Sequence, residues 1–258
     1  MDHVTPTSFS SPVLQPQERI LLREALYRRY ATSSSGIGGT ARWVRFFWKR
    51  NAWRLVIGLT RAIKRLVDLV VSTTLLIGLA PLFAAVALAI KLTDGGPALF
   101  WQTRVGQWGR EFPFPKFRSM VINAEQLKDT LLAHNDHQNG VTFKMKHDPR
   151  ITWIGRIIRK LSIDELPQLW CVFIGDMSLV GPRPPVPREV AQYTLADRRR
   201  LDAIPGLTCI WQVSGRGDIP FPQQVQLDVQ YIESQSLWLD IKLLFLTIPA
   251  VFLGKGAY

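Results

Sequence analysis

The residues best suited to chemistry stand together in Leu161-Ser-Ile-Asp-Glu-Leu-Pro-Gln-Leu169. Ser162 followed three positions on by Glu165 has capping-box spacing, so a helix is predicted to start here, with the Glu165 side chain turned back to the Ser162 N–H. That start also puts Asp164 in a first helical turn, beside unsatisfied N–H donors and the positive end of the dipole. Such a place keeps a carboxylate ionised and gathers phosphate oxygens around it. An ionised aspartate can attack phosphorus and form an acyl-phosphate. Two adjacent carboxylates, Asp164 and Glu165, can also hold a magnesium ion against the charge of a phosphate substrate. The plainer reading, in which Glu165 caps the helix and does nothing more, fits the same residues.

Two loops further along supply cations. Gly175-Asp-Met-Ser-Leu-Val-Gly-Pro-Arg-Pro184 is a Gly/Pro turn that presents Arg183, and Ser214-Gly-Arg-Gly217 presents Arg216. A planar guanidinium suits bidentate phosphate binding, so the two read as a clamp for a diphosphate; solvated surface charge is the ordinary alternative. His134-Asn-Asp-His137, with His147 beyond, has a metal-like spacing but sits in a polar loop without a clear further ligand set. Asp228 and Asp240 read as structural acids paired with basic residues.

The chain that must position these groups has 258 residues, enough for one domain with a real core plus accessory segments. Lys and Arg number 32 against 20 Asp and Glu, a net charge of +12, which calls for an anionic partner: nucleic acid, a phospholipid surface or a phosphate-bearing substrate. Nine tryptophans favour the lipid surface, because indole rings settle at headgroup level. Cys171 and Cys209 form no CxxC pair, which fits a reducing compartment and argues against structural zinc or a disulfide scaffold. Met1 to Gln17 is polar and lacks the apolar core of a signal peptide.

Leu69 to Ile90 carries no charge and, as a helix, would reach roughly 33 Å, the depth of the hydrocarbon slab. Lys64 and Arg65 precede it and Lys91 follows, the pattern of a helix that enters and leaves on the cytosolic side. Pro81, with Gly78 one turn earlier, predicts a bend. Before it, Arg42 to Arg54 interleaves cations with large aromatics as a helical surface that lies on anionic lipid, a better fit here than single-stranded nucleic acid. Glu18 to Tyr30 reads as a short amphipathic helix and Ala31 to Thr40 as a flexible linker.

After Lys91 the sequence reads as a small folded domain. Ala98 to Val105 and Phe112 to Met120 are predicted strands around a Gly/Trp turn, and Ala124 to Ala133 a helix. Ile151, Ile154, Ile157, Ile158 and Leu161 recur at helical spacing. Leu237 to Leu253 reads equally as an interfacial helix or a core helix. The expected fold is mainly α with a small β-hairpin: one re-entrant membrane helix plus a cytosolic catalytic domain with interfacial amphipathic helices. Its expected parts are a polar extension (1–40), a basic interfacial segment with the membrane helix (41–93) and the catalytic domain (94–258).

Several short motifs occur in order: Lys64-Arg-Leu-Val-Asp68, Asp94-Gly-Gly-Pro97, Gln102-Thr-Arg-Val-Gly106, Lys116-Phe-Arg-Ser-Met120, Asp164-Glu-Leu-Pro-Gln-Leu169, Gly175-Asp-Met-Ser178, Gly181-Pro-Arg-Pro184, Pro205-Gly-Leu-Thr208 and Trp211-Gln-Val-Ser-Gly-Arg216. Over about Arg61 to Leu253 the set resembles the bacterial sugar transferases, the monotopic polyprenyl-phosphate phosphoglycosyltransferases. The resemblance implies an enzyme that moves a sugar 1-phosphate, a hexose by overall similarity, from a UDP-sugar to a polyprenyl (undecaprenyl) phosphate. It implies release of UMP, magnesium, a covalent phosphosugar on Asp164 with Glu165 as its partner near the metal, and Arg183 and Arg216 at phosphate and nucleotide. It places the protein on the cytoplasmic face of the bacterial plasma membrane, at the start of exopolysaccharide or other glycoconjugate assembly, without nucleic acid. The family helix turns at a Ser-Pro break; here Ala80 precedes Pro81, and Ser72, Thr73 or Thr74 would have to replace that serine. Relatives with a multi-helix domain ahead of the helix also differ, since this N-terminal stretch is short and polar. Two other classes fit parts of the sequence: a lipid-bound polybasic adaptor without activity, and a membrane hydrolase of nucleotide sugars.

Overall fold

The computed structural model describes residues 37–124, 126–127 and 148–253. The chain divides into two units at Leu59/Thr60. Residues 37–59, the described part of the first, are helical, as read for the basic-aromatic stretch, and Trp48 is exposed. The reading of 18–30 as a helix, the linker, the 134–140 loop and most of the helix proposed for 124–133 lie outside the described residues.

Helix α1 (Ile37–Gly78) stops where Pro81 removes a backbone donor, and α2 (Ala80–Asp94) starts with that proline in its first turn. The two axes meet at 57°. Among the described residues no single helix is long and apolar enough to cross a membrane; this bent pair passes that test of length and composition together. Ser72 and Thr74 do not take over the role of a serine at the break. Their hydroxyls donate to the Leu69 and Val70 carbonyls (3.3 and 2.8 Å), because a helical Ser or Thr reaches back three or four residues, and that points them away from the bend.

The sequence charge pattern marks Lys64 and Arg65 as membrane flanks, yet both turn inward to the domain. Lys64 Nζ donates to Asp240 Oδ2 (2.7 Å) and the Val180 carbonyl (3.1 Å). Arg65 donates to the Val172 and Phe173 carbonyls (2.6 and 2.7 Å), at the C-terminal end of a helix where cations are favoured. Asp68, one turn on, accepts from Ser178 Oγ (3.1 Å) and Leu179 N–H (3.0 Å). Spacing of one turn puts all three on one face, so the helix is docked by polar bonds there. Asp68→Ala would leave two buried donors unsatisfied, a cost of about 1–3 kcal/mol each, and a drop in thermal unfolding temperature of several degrees is the expected result.

Strands β1 (Leu99–Val105) and β2 (Glu111–Phe117) form the anticipated antiparallel hairpin, in register from Leu99↔Phe117 to Val105↔Glu111. Phe112 and Phe114 point from β2 into the core with Leu169, Val172, Met177, Val180, Tyr231 and Leu243. Helix α3 (Trp153–Lys160), capped by Thr152 Oγ1 at the Gly155 N–H, packs Ile154 and Ile158 of the periodic set on Val86, Ile90 and Phe117, while Ile157 and Leu161 of that set are exposed. A 3-10 turn (Ile163–Gln168) runs into α4 (Leu169–Ile174).

A parallel pair, β3 (Ser178–Val180) with β4 (Gly206–Thr208), was not legible from the sequence. It brings Gly181 and Gly206 so close that a Cβ on Gly206 would lie 2.0 Å from the Gly181 nitrogen, which only glycine allows. Short helices α5 (Pro187–Val190) and α6 (Ile210–Ser214) follow β3 and β4. Helix α7 (Phe221–Ser234) buries Val225, Asp228 and Tyr231. Helix α8 (Leu237–Leu253) packs one side into the core: Asp240 and Leu243 are buried, while Trp238, Phe245 and Ile248 are exposed on it. Asp228 and Asp240 pair with Arg200 (2.6 Å) and Lys64, as structural acids do.

Candidate active site

Three elements distant in sequence meet around Glu165. Strand β2 presents Lys116, the 3-10 turn presents Asp164 and Glu165, and the loop after β3 presents Arg183. Lys116 Nζ donates to Glu165 Oε1 at 2.8 Å. Arg183 spans the same carboxylate, Nη2 to Oε1 and Nη1 to Oε2 (3.2 Å). Burial works to raise the Glu165 pKa, but Arg183 and then Lys116 outweigh it and hold the carboxyl well below its usual range. Burial lowers Lys116, with Glu165 opposing, and Arg183 is raised: burial acts to lower it, and Glu165 overcomes that.

The capping box expected at Ser162 is not made. Ser162 ends α3, its N–H donating to the Arg159 carbonyl (3.0 Å), and takes a left-handed backbone with φ 55°. An N-cap needs extended backbone, so Ser162 cannot also cap the turn that follows, and Glu165 is free to turn toward the cations. The following element is a six-residue 3-10 turn, too short to supply the dipole expected from an α-helix.

Asp164 is buried, and no other described residue donates a hydrogen bond to its carboxylate. Burial pushes its pKa up to about 6; Lys116 opposes and the Glu165 charge adds to the rise. What this corrects is the expected stabilisation by a helix end: the carboxyl is raised rather than held low, because desolvation outweighs the cations here. At neutral pH the group is still mainly ionised. If ionised Asp164 carries the reaction, kcat/KM should fall tenfold per pH unit below about 6, and a pH profile of initial rates checks it.

Arg216 is half-buried with φ 52°, and its charge is felt with those of Glu165, Arg183 and Asp164, so the structure brings it to the same place. Burial lowers its pKa, with Glu165 opposing. Sequence reasoning gave no role to Lys116, to Arg104, which lies beside Arg183, or to Arg159, whose charge acts on Asp164. The available signal was strand alternation: it puts Lys116 on the face that carries the core residues Phe112 and Phe114. Of the residues that the sequence singles out, Asp164, Glu165, Arg183 and Arg216 come together, while Lys64, Arg65 and Pro81 belong to the docked, bent helix.

Among the described residues no group of three or more His, Cys, Asp or Glu stands ready for a metal, and His134, His137 and His147 lie outside them. A magnesium ion needs less than that, since it is commonly held by one or two carboxylates plus substrate phosphates. Asp164 suits that role; both Glu165 oxygens are held by Lys116 and Arg183.

Comparison with known proteins bears on the same residues. Residues 59–254 match the family described as bacterial sugar transferase. The chain is 56% identical over 165 residues to galactosyl transferase CpsE of Streptococcus agalactiae, covering 64% of this chain and 36% of that one. It is 46% identical over 203 residues to undecaprenyl-phosphate galactose phosphotransferase of Salmonella typhimurium, covering 77% and 42%. Against exopolysaccharide production protein ExoY of Sinorhizobium fredii it is 40% identical over 198 residues, covering 76% and 88%. It thus spans well under half the length of the first two relatives and most of the third. The match runs from the docked helix through the dyad to the end of α8, and the chain belongs to the bacterial sugar transferase family.

Proposed function

We propose that the protein transfers a hexose 1-phosphate from a UDP-sugar to a membrane polyprenyl phosphate and releases UMP. The observation that carries this is a buried aspartate, Asp164, unbonded by the described side chains and set beside a carboxylate already clasped by Lys116 and Arg183. The names of relatives, galactosyl transferase and undecaprenyl-phosphate galactose phosphotransferase, support the substrate class and make UDP-galactose the first donor to test. An Asp164 oxygen attacks the sugar-bearing phosphorus, the bond to the bridging oxygen breaks, and UMP leaves with that oxygen. A polyprenyl phosphate oxygen then attacks the same phosphorus, freeing the Asp164 carboxylate and giving polyprenyl diphosphate sugar. Cations fixed before substrate arrives cost no reorganisation as charge moves during transfer. Magnesium, held by Asp164 and substrate oxygens, would offset phosphate charge.

The second substrate is confined to a bilayer, and the surface suits one. Exposed apolar side chains cover α1 and α2 (Leu66, Ile77, Leu92), α4 (Trp170, Phe173) and α8 (Trp238, Phe245). We read the bent pair as re-entrant, with the site on the cytoplasmic face; the 57° turn at Pro81 supports this. Lys64 and Arg65 no longer count toward it, being bonded within the domain.

Transfer of label from UDP-galactose, phosphorus-labelled next to the sugar, into the lipid fraction tests the activity. Label should reach lipid only when polyprenyl phosphate is present; UMP released equally without it indicates a hydrolase, and no turnover with any UDP-sugar an adaptor. For topology, single cysteines at Arg45 and at exposed Leu195 can be probed with an impermeant thiol reagent on intact cells, since both native cysteines are buried. Protection of both until lysis is the expected result; labelling of one alone overturns re-entry.

A further inference from the structure

Beside the site, a partly buried cation that the reaction as described does not use is Arg104, in the middle of β1. Its Nη1 donates to the Pro184 carbonyl (2.9 Å), next to Arg183, and its guanidinium carbon lies 5.0 Å from the Phe114 ring centroid. The same ring has Lys116 Nζ at 5.5 Å, so Arg104 and Lys116 flank one aromatic side chain. Arg104 forms no ion pair with a described carboxylate. Glu165 is held by Lys116 and Arg183, and Glu189, the other acid in reach, accepts from the Val186 N–H (3.2 Å). The Nε of Arg104 is buried and has no hydrogen-bond partner among the described residues.

A largely desolvated guanidinium with a buried orphan donor and no carboxylate bonded to it is costly, and proteins ordinarily pair such a group. Here burial, with Arg183 adding its repulsion, lowers the Arg104 pKa to about 10. Packing alone does not account for the choice of residue, because an apolar side chain of similar length would fill the space over Phe114 and avoid the desolvation. The neighbourhood has more positive than negative charge: Lys116, Arg183, Arg104 and Arg216 share it with Glu165, Asp164 and, on the Arg104 side, Glu189.

We propose that Arg104 is a phosphate-binding residue of this site, supplying a guanidinium to the diphosphate of the incoming nucleotide sugar while its Nη1 fixes the Pro184 loop. Arg183, both of whose Nη atoms engage Glu165, then orients the dyad, and the free forks for substrate are those of Arg104 and Arg216. The assignment rests on the reading of the site as a nucleotide-sugar site, but its test needs no turnover.

Equilibrium binding of inorganic diphosphate and of UMP to the full chain in nanodiscs, with magnesium, is compared for wild type, Arg104→Met, Arg104→Lys and the exposed control Arg110→Met. Arg104→Met should bind diphosphate roughly ten- to a hundredfold more weakly, the range for a lost charge-assisted hydrogen bond, at an unchanged or higher Tm. Arg104→Lys should recover only part of that loss, since a point charge cannot hold Pro184 and a phosphate together. Arg110→Met should match wild type. Wild-type diphosphate affinity in Arg104→Met, or no diphosphate binding by wild type, overturns the proposal. If Arg104→Met fails to fold, Arg104→Lys decides: weaker binding at wild-type Tm supports it and unchanged binding overturns it. Wild type that binds diphosphate but transfers no sugar phosphate would instead overturn the transferase reading and leave the Arg104 comparison intact.

Discussion

Asp164→Asn should abolish sugar-phosphate transfer, by about a thousandfold or more, while the protein stays folded. An amide keeps the shape and burial of the side chain but cannot form the acyl-phosphate. Stability should not suffer, because the carboxylate is held against its own desolvation, as its pKa of about 6 records. A neutral isostere removes that cost, so thermal unfolding is expected unchanged or a few degrees higher. Loss of activity with gained stability is the usual mark of a residue kept for chemistry. Measured turnover near wild type would remove Asp164 as the nucleophile. Labelled phosphosugar trapped on wild type in the absence of lipid, and absent from Asp164→Asn, would place the covalent step on this side chain.

Arg183→Ala should be nearly as severe in rate and, unlike Asp164→Asn, should also destabilise. Removing it leaves partly buried Glu165 with Lys116 as its one remaining bonded cation; breaking a fully buried pair from one side costs about 3–5 kcal/mol, and this partly buried one should cost less, about 1–3 kcal/mol. With that support gone the dyad is no longer fixed, and a rate loss of roughly a hundredfold or more is expected. Arg183→Lys should recover little, since one ammonium cannot span both Glu165 oxygens. The double change Arg183→Ala with Glu165→Gln separates the two effects: stability should recover in part, because no unpaired carboxylate remains although Lys116 loses its charged partner, while activity should not. Unfolding curves and initial rates on the same four proteins check both.

What the sequence determined is what local patterning controls. The β1–β2 hairpin follows from alternation around a Gly/Trp turn, α3 from isoleucines at helical spacing, and the break at Pro81 from a missing donor. The dyad and both arginine loops were legible because acids in adjacent positions and arginines between glycines and prolines are local features. Tertiary structure decided the rest. Ser162 had the spacing of a helix cap, but closing α3 took its backbone into the left-handed region, and that released Glu165 to Lys116, 49 residues away. Lys64 and Arg65 looked like charges beside a bilayer; their partners, Asp240 and the end of α4, lie more than a hundred residues off. Three-residue strands β3 and β4 are too short to show any period. Asp164 was expected to be ionised by a helix dipole, whereas burial, a property of the assembled fold, sets its protonation. Spacing along a chain fixes which side chains share a face, but charge balance and desolvation depend on what packs against that face, and only long-range contacts supply it.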